Sequence, residues 1–282
     1  MRPRLSRSNI DRNAASRRDP IWLASAWERS QIVQVDPVRQ AVAASDAGLK
    51  LVDPSDDLSH RRIFLGGDTH PYFAVICDLP EGMHLREAHP GWSDRDLGLA
   101  TEALAMAQWH SRHRYHPATG EELRPRSAGW ELGSDSGVVY PRIDPAIIVL
   151  IDDGADRILL AQNVAAKAGR YACVAGFVEP GESAEAAVHR EVSEETGLEL
   201  QRVEYVTSQP WPFPSSLMLA FSATADATQE INLQADELAD ARWFTREQAS
   251  KHISVDGSAG WRGLTQVSVA RFLIERWLGR GQ

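Results

Sequence analysis

Residues 176–198 read GFVEPGESAEAAVHREVSEETGL, and this stretch decides the fold of the C-terminal half of the chain. Its first part predicts a tight loop, because Gly176 and Gly181 tolerate backbone angles that other residues avoid. Its second part predicts a helix over 184–196, closed by Gly197 in a left-handed cap. The stretch therefore predicts a loop that leads into a helix rich in glutamate.

Three glutamates of this helix lie on one face. Glu191, Glu194 and Glu195 stand at positions i, i+3 and i+4, so their carboxylates are neighbours. Carboxylates packed together repel one another, which raises their pKa values unless a cation intervenes. Mg²⁺ or Mn²⁺ suits such oxygens, and a bound ion of this kind polarises a diphosphate. A solvated helix face is the alternative, but the glycines and Arg190, placed to hold a glutamate, favour a metal site.

The whole stretch resembles the Nudix box. The residues that match its fixed positions are Gly176, Glu182, Arg190, Glu191, Glu194, Glu195 and Gly197. The resemblance implies a metal-dependent hydrolase of a nucleoside-diphosphate linkage, with Glu182 and Arg190 in the catalytic set beside the three glutamates. It also implies that residues 142–282 form a Nudix αβα sandwich.

Residues 208–214 read SQPWPFP, ten residues beyond the box, and resemble the signature of the NADH pyrophosphatase (NudC) branch of the Nudix hydrolases. A rigid loop of proline and aromatic residues, or a polyproline ligand, is the alternative. The resemblance implies hydrolysis of NADH or NAD to nicotinamide mononucleotide and AMP. Removal of an NAD cap from RNA 5′ ends, hydrolysis of ADP-ribose, and a non-catalytic nucleotide sensor stay open as other functions.

The same resemblance implies roles for individual residues. Glu191, Glu195 and Glu237 would bind the metal ion, with Glu194 in the same cluster. Phe177 would stack on the nicotinamide ring, with Tyr140 of a partner subunit on the other face of the ring, as in a homodimer. The residues implied to line the nucleotide pocket are Gln209, Ser216, Met218 and Ala270. Phe177 and Tyr140 could instead be core residues.

The sequence predicts an α+β protein with four regions. These are a flexible Arg-rich tail over 1–20, a mixed α/β domain over 21–110, a connector over 111–141, and the catalytic domain over 142–282. The connector corresponds to a zinc ribbon of four cysteines in the family, but here it contains no cysteine. His110, His113 and His116 have metal-like spacing without a convincing fourth ligand, so zinc is not expected.

The composition narrows the class of partner and the compartment. A net charge of −9 argues against non-specific binding of nucleic acid, although a local basic patch for an RNA 5′ end stays open. No apolar window in the 282 residues is long enough to span a membrane. Cys77 and Cys173 predict free, buried thiols in a reducing cytoplasm.

Hydrophobic periodicity predicts the remaining elements. Helices are predicted over 94–109 and 267–278. Strands are predicted over 31–35, 62–65, 72–79, 146–151, 158–161, 171–174, 203–208, 217–223, 230–233 and 241–244.

Overall fold

Residues 2–166, 168–254 and 264–279 are described by a computed structural model, which divides the chain into two units. The N-terminal unit contains Arg4–Ile143 and, from much later in the chain, Pro210–Ser216. The C-terminal unit contains Asp144–Gln209 and Leu217–Gln282, together with Met1–Pro3. The division at residue 143 lies beside the boundary predicted at 142, but the return of 210–216 to the N-terminal unit has no counterpart in the sequence analysis.

The N-terminal unit combines two helices with several small sheets. Its helices are α1 (Pro20–Glu28) and α2 (Asp94–Arg112). Its strands are β1 (Gln31–Asp36), β2 (Ala41–Val42), β3 (Ala44–Ser45), β4 (Gly48–Leu49), β5 (Arg62–Gly66), β6 (Tyr72–Ile76), β7 (Met83–His84), β8 (Arg124–Arg126), β9 (Glu131–Ser134) and β10 (Gly137–Val139). One sheet has the order β5-β6-β1-β2-β7, and a second has the order β10-β9-β8.

Burial explains why these elements form. Strands β1 and β6 pair in parallel, and Ile32, Phe64 and Phe73 from the sheet join Trp27 of α1 in one buried cluster. Helix α2 begins at a cap in which the Ser93 hydroxyl accepts a hydrogen bond from the Asp96 amide at 3.0 Å. The helix predicted over 94–109 is thus confirmed and runs one turn further.

The segment 1–20 is predicted as a flexible tail, but its residues 4–20 pack within the N-terminal unit. Arg4 donates hydrogen bonds to three backbone carbonyls, the strongest to Pro90 at 2.8 Å. Arg12 pairs with buried Glu102, and the Arg17 guanidinium lies 3.6 Å from the centroid of the Trp130 ring. The arginines that suggested a tail are therefore the groups that attach it, because each has a carbonyl, carboxylate or aromatic partner.

The connector 111–141 forms the three-stranded sheet of β8, β9 and β10 and belongs to the N-terminal unit. The three histidines with metal-like spacing, at the end of α2 and the start of the connector, all contact the backbone. His110 donates from Nε2 to the Gly129 carbonyl at 2.7 Å, and His113 donates from Nδ1 to the Trp109 carbonyl at 2.9 Å. The ring of His116 accepts from the amide of Ala118 through Nδ1 at 3.4 Å. One nitrogen of each ring is thus engaged by the polypeptide itself.

The C-terminal unit is an αβα sandwich, as predicted. Its helices are α3 (Ala184–Thr196), α4 (Arg246–Ile253) and α5 (Val269–Leu278). Its strands are β11 (Asp144–Asp152), β12 (Arg157–Asn163), β13 (Val174–Phe177), β14 (Leu200–Trp211), β15 (Ser216–Ala225) and β16 (Leu238–Thr245). The strand order is β14-β15-β11-β12-β16, and β13 pairs with β11.

Alternation along β11 places a core on each face of this sheet. Ile147 and Val149 pack in the cluster that contains the apolar side of α3. Ile148 and Leu150 pack in the cluster that contains α4 and α5. Successive side chains of a strand point to opposite faces, so one strand supports both helical layers.

Some predicted elements differ from the observed ones. The helix over 184–196 is confirmed at both ends, and the final helix begins two residues later than predicted, after the Ser268 cap. The strand predicted over 171–174 lies at 174–177. No strand forms over 230–233, because the amides of Asn232 and Gln234 donate to carbonyls at the end of α3.

Both cysteines are free, as predicted, but Cys77 is only partly buried whereas Cys173 is buried. Within the described part of the chain, no helix combines the length and apolar character that crossing a membrane requires.

Candidate active site

The candidate site is built on the loop between β13 and α3. Ser183 caps α3 by accepting a hydrogen bond from the amide of Ala186 at 3.1 Å. At the other end, Gly197 has a φ of 71° and donates its amide to the Ser193 carbonyl at 2.9 Å. These two caps fix the ends of the helix, so the glutamates near its C-terminal end have a defined position.

Arg190 connects the loop to the helix. Its guanidinium donates to both carboxylate oxygens of Glu182, at 2.8 and 2.9 Å. It also donates to Glu191 at 2.9 Å, to Glu194 at 3.1 Å and to the carbonyl of Phe177 at 2.9 Å. The pKa of Glu182 is lowered by its hydrogen bonds with Arg190, so this carboxylate stays charged. One side chain therefore orients three carboxylates and the backbone of the loop.

The absence of a side chain at Gly176 leaves the space that the Glu191 carboxylate occupies. A Cβ atom on Gly176 would come within 1.9 Å of Glu191 Cδ, a distance at which two atoms cannot coexist. Burial raises the pKa of Glu191, while Arg190 acts in the opposite direction. The glycine of the loop is thus needed for space beneath a carboxylate, a role that its position in the sequence did not predict.

Glu195 is the least compensated carboxylate of the cluster. It is only 5% exposed, and its side chain accepts no hydrogen bond from any described residue. Burial, and then the negative charges of Glu191, Glu237 and Glu194, raise its pKa to about 7. A buried carboxylate surrounded by like charges is a place where a cation would relieve the repulsion.

Glu237 reaches the cluster from outside the helix, on a segment that α3 itself holds. The amide of Asn232 donates to the Thr196 carbonyl at 2.9 Å, and the amide of Gln234 donates to the Glu195 carbonyl at 3.1 Å. The amide of Glu237 then closes a turn onto Gln234 at 3.0 Å. These bonds satisfy carbonyls at the helix end and bring an exposed glutamate within electrostatic reach of Glu195.

The four carboxylates fit a hard divalent cation. Glu191, Glu194, Glu195 and Glu237 bring four negative charges together, and Arg190 contacts two of them, Glu191 and Glu194. Among the described residues, no three metal-type side chains already converge as a finished coordination shell. An all-oxygen donor set is nevertheless the chemistry that Mg²⁺ and Mn²⁺ prefer, and such an ion would polarise a diphosphate and acidify a bound water.

The residues implied to bind substrate have varied surroundings. Phe177 is 59% exposed and Tyr140 is 63% exposed, so neither is a core residue. Gln209 is completely buried, and neither amide atom of its side chain has a partner among the described residues. Ala270 lies in the core cluster around α4 and α5, and partly buried Met218 packs against that cluster, whereas Ser216 is half-buried at the start of β15.

Two features of the site were not predicted: the space at Gly176 and the anchoring of the 232–234 segment on α3. The fixed glycine of the box was the available signal for the first. The second had no signal, since 230–233 has the composition of a strand.

Comparison with known proteins agrees with this arrangement. The family model described as NUDIX domain matches residues 142–260. The NAD-capped RNA hydrolase NudC of Mycobacterium bovis (strain BCG / Pasteur 1173P2) is 33% identical over 301 aligned positions, which cover 98% of this chain and 94% of that protein. The NAD-capped RNA hydrolase NudC of Mycobacterium tuberculosis (strain H37Rv) matches to the same extent. Human NAD-capped RNA hydrolase NUDT12 is 35% identical over 196 positions, which cover 66% of this chain and 42% of that protein. With its box complete and its likeness extending over almost its whole length, the chain belongs to the NudC family of Nudix hydrolases.

Proposed function

We propose that the enzyme hydrolyses the diphosphate linkage of NAD(H) and releases nicotinamide mononucleotide and AMP. Water adds to one phosphorus, and the bond from that phosphorus to the bridging oxygen breaks. The observation that carries the proposal is the uncompensated carboxylate of Glu195 among three further glutamates. Carboxylates arranged in this way favour the binding of a divalent cation, and such a cation acts as a Lewis acid on a diphosphate group.

The residues of the chain divide the remaining tasks. Arg190 orients Glu182, Glu191 and Glu194, so the cluster is organised before substrate arrives. The exposed ring of Phe177 offers a flat surface for the nicotinamide. The amide of Gln209, which has no hydrogen-bond partner among the described residues, offers a donor and an acceptor to the nucleotide. When bound, Mg²⁺ or Mn²⁺ would supply the Lewis acid for the diphosphate.

NAD at the 5′ end of RNA is the second candidate substrate, because the relatives named above are called NAD-capped RNA hydrolases. Cleavage of the same linkage would release nicotinamide mononucleotide and leave RNA with a 5′-monophosphate. We further propose that the enzyme is a cytoplasmic homodimer in which Tyr140 of the partner subunit completes the nicotinamide site. The high exposure of Tyr140 and the free thiols of Cys77 and Cys173 support these two points.

The test compares Glu195→Gln with the unaltered enzyme on NADH, NAD-capped RNA and ADP-ribose, each with Mg²⁺ or Mn²⁺. We expect the variant to lose most AMP release from NADH while its circular dichroism spectrum stays unchanged. Glu199→Gln is the matched control, since Glu199 is exposed just beyond the same helix and should leave turnover intact. Unchanged AMP release by Glu195→Gln would overturn the proposal. Preferred cleavage of ADP-ribose would identify ADP-ribose, and not NAD(H), as the substrate. Absence of turnover with every substrate would favour a nucleotide sensor.

A further inference from the structure

A cavity of about 560 Å³ lies within the N-terminal unit, and its residues take no part in the glutamate cluster. Its floor is apolar and includes Ile63, Leu123 and Leu132, all buried. Its walls come from β5 and β6, from the last turn of α2 with the residues just after it, and from the sheet of β8–β10. Cavities of this size hold small organic ligands, so the cavity is large enough to be a binding site.

The rim of this cavity is positively charged. Arg62 and Arg114 are both exposed and both line the cavity. The Arg62 guanidinium lies 5.1 Å from the centroid of the Trp27 ring, a cation–π contact that restrains its orientation. The Arg114 side chain has neither a hydrogen bond nor an ion pair with any described residue. A guanidinium without another partner, as at Arg114, suits a phosphate, which it can bind through two parallel hydrogen bonds.

Two further rim residues add polar recognition. His113 donates from Nδ1 to the Trp109 carbonyl, which leaves Nε2 available to a ligand. Glu122 is the one carboxylate among the described residues of the rim. A carboxylate accepts hydrogen bonds from the hydroxyls of a ribose, as acidic residues do in other nucleotide sites. The cavity therefore combines an apolar floor, a phosphate-binding rim and an acceptor for a sugar.

We propose that this cavity is a second nucleotide site, which binds a nucleoside monophosphate. The base would rest on the apolar floor, the phosphate would bind to Arg114, and the ribose would contact Glu122. Both products of the proposed reaction belong to this chemical class. The choice of AMP as the probe thus rests on the proposed function, whereas the recognition of a phosphate by Arg114 does not.

The test titrates AMP into the full-length protein by isothermal calorimetry in the presence of a chelator. We expect two AMP sites per chain, of which Arg114→Gln weakens one by about tenfold or more, equivalent to roughly 1.4 kcal/mol or more. Inorganic phosphate should compete for the same site. Arg112→Gln is the matched control, because Arg112 is exposed on the same helix end but does not line the cavity.

Equal AMP binding by the unaltered protein and by Arg114→Gln would overturn this inference. So would a 5′-phosphorylated RNA that binds through Arg114 while AMP does not. Initial rates of NADH hydrolysis should be the same in Arg114→Gln and Arg112→Gln. AMP binding in the cavity is therefore tested independently of NADH hydrolysis. A protein that binds AMP through Arg114 but never cleaves NADH would refute only the proposed function.

Discussion

The carboxylate of Glu191 lies where a side chain at position 176 would be, with its Cδ 1.9 Å from the site of a Gly176 Cβ. Gly176 is on β13 and Glu191 is on α3, so the contact joins the strand and the helix on which the candidate site is built. The glycine is required by the space that a functional group occupies, and this requirement leads directly to a testable substitution.

Gly176→Ala should displace the Glu191 carboxylate and lower kcat about 10- to 100-fold, the usual effect of disturbing a group that orients a metal ligand. The measurement is steady-state hydrolysis of NADH at saturating metal. Gly279→Ala is the matched control, since a Cβ there meets no atom of the described residues within 4 Å. Full activity of Gly176→Ala would show that Glu191 can move without consequence.

Arg190→Lys should lower activity about 10- to 100-fold although it keeps the positive charge. A lysine ammonium cannot reproduce the planar fork that binds both oxygens of Glu182 and also reaches Glu191. The readout is kcat and KM for NADH. Arg202→Lys, in an exposed pair with Glu204, should leave both constants unchanged. Equal kinetics of the two variants would contradict the role given to Arg190.

Glu237→Gln should raise the Mn²⁺ concentration required for half-maximal activity by about tenfold or more. The reason is that Glu237 contributes negative charge to the cluster, as its effect on the pKa values of Glu191 and Glu195 indicates. Activity is measured across a metal titration. Asp236→Asn removes an equal charge from the adjacent exposed position, and a similar loss in that variant would argue for a general field effect.

Gln209→Leu should raise the KM for NADH about tenfold while leaving the melting temperature unchanged or higher. The buried amide of Gln209 has no hydrogen-bond partner among the described residues, and such a group destabilises the folded state, so an apolar replacement of similar shape relieves that cost. Gln108→Leu is the contrasting control. The Gln108 amide donates to the Pro37 carbonyl at 2.9 Å, and its loss should destabilise the protein by about 1–3 kcal/mol. A large loss of stability in Gln209→Leu would mean a structural role instead.

Glu102 should make stability depend on pH. Burial raises its pKa from 4.5 to about 7 even though Arg12 pairs with it. The folded protein therefore holds a proton that the unfolded chain has released, and stability falls as pH rises between these two values. Glu102→Gln should remove this fall, so its stability relative to the unaltered protein should improve by about 1–3 kcal/mol from pH 5 to pH 8. Calorimetric unfolding at both pH values measures the difference, with exposed Glu28→Gln as the control. If the stability of Glu102→Gln and of the unaltered protein changed equally with pH, Glu102 would not be the cause of the pH dependence.

The sequence predicted most where the determining interactions are local. The helix over 184–196 was predicted at both ends because its cap residues and its periodicity lie within the helix itself. The family and the reaction class followed from the same stretch. Glu237 was named only through the resemblance, since the bonds that bring its segment to α3 join residues far outside the box.

The sequence predicted least about segments whose structure depends on contacts with residues far away in the chain. The Arg-rich start has the composition of a solvated tail, and its attachment depends on carbonyls 85 to 88 residues away from Arg4. Helix α1 was also missed, although Asp19 caps it and a proline begins it. Similarly, 230–233 resembles a strand, but its amides find partners at the end of a helix.

The return of Pro210–Ser216 to the N-terminal unit bears on how this enzyme can be divided. Within that unit the ring of Phe213 stacks on His84 at 5.5 Å, and Arg86 lies 4.4 Å from the centroid of the same ring. A cut at residue 143 would leave the SQPWPFP segment on the C-terminal fragment and His84 and Arg86 on the N-terminal fragment. Phe213 would then lose its contacts with both residues. The N-terminal unit is therefore not a detachable module, and exchanging it for another domain would require redesign of the tip between β14 and β15.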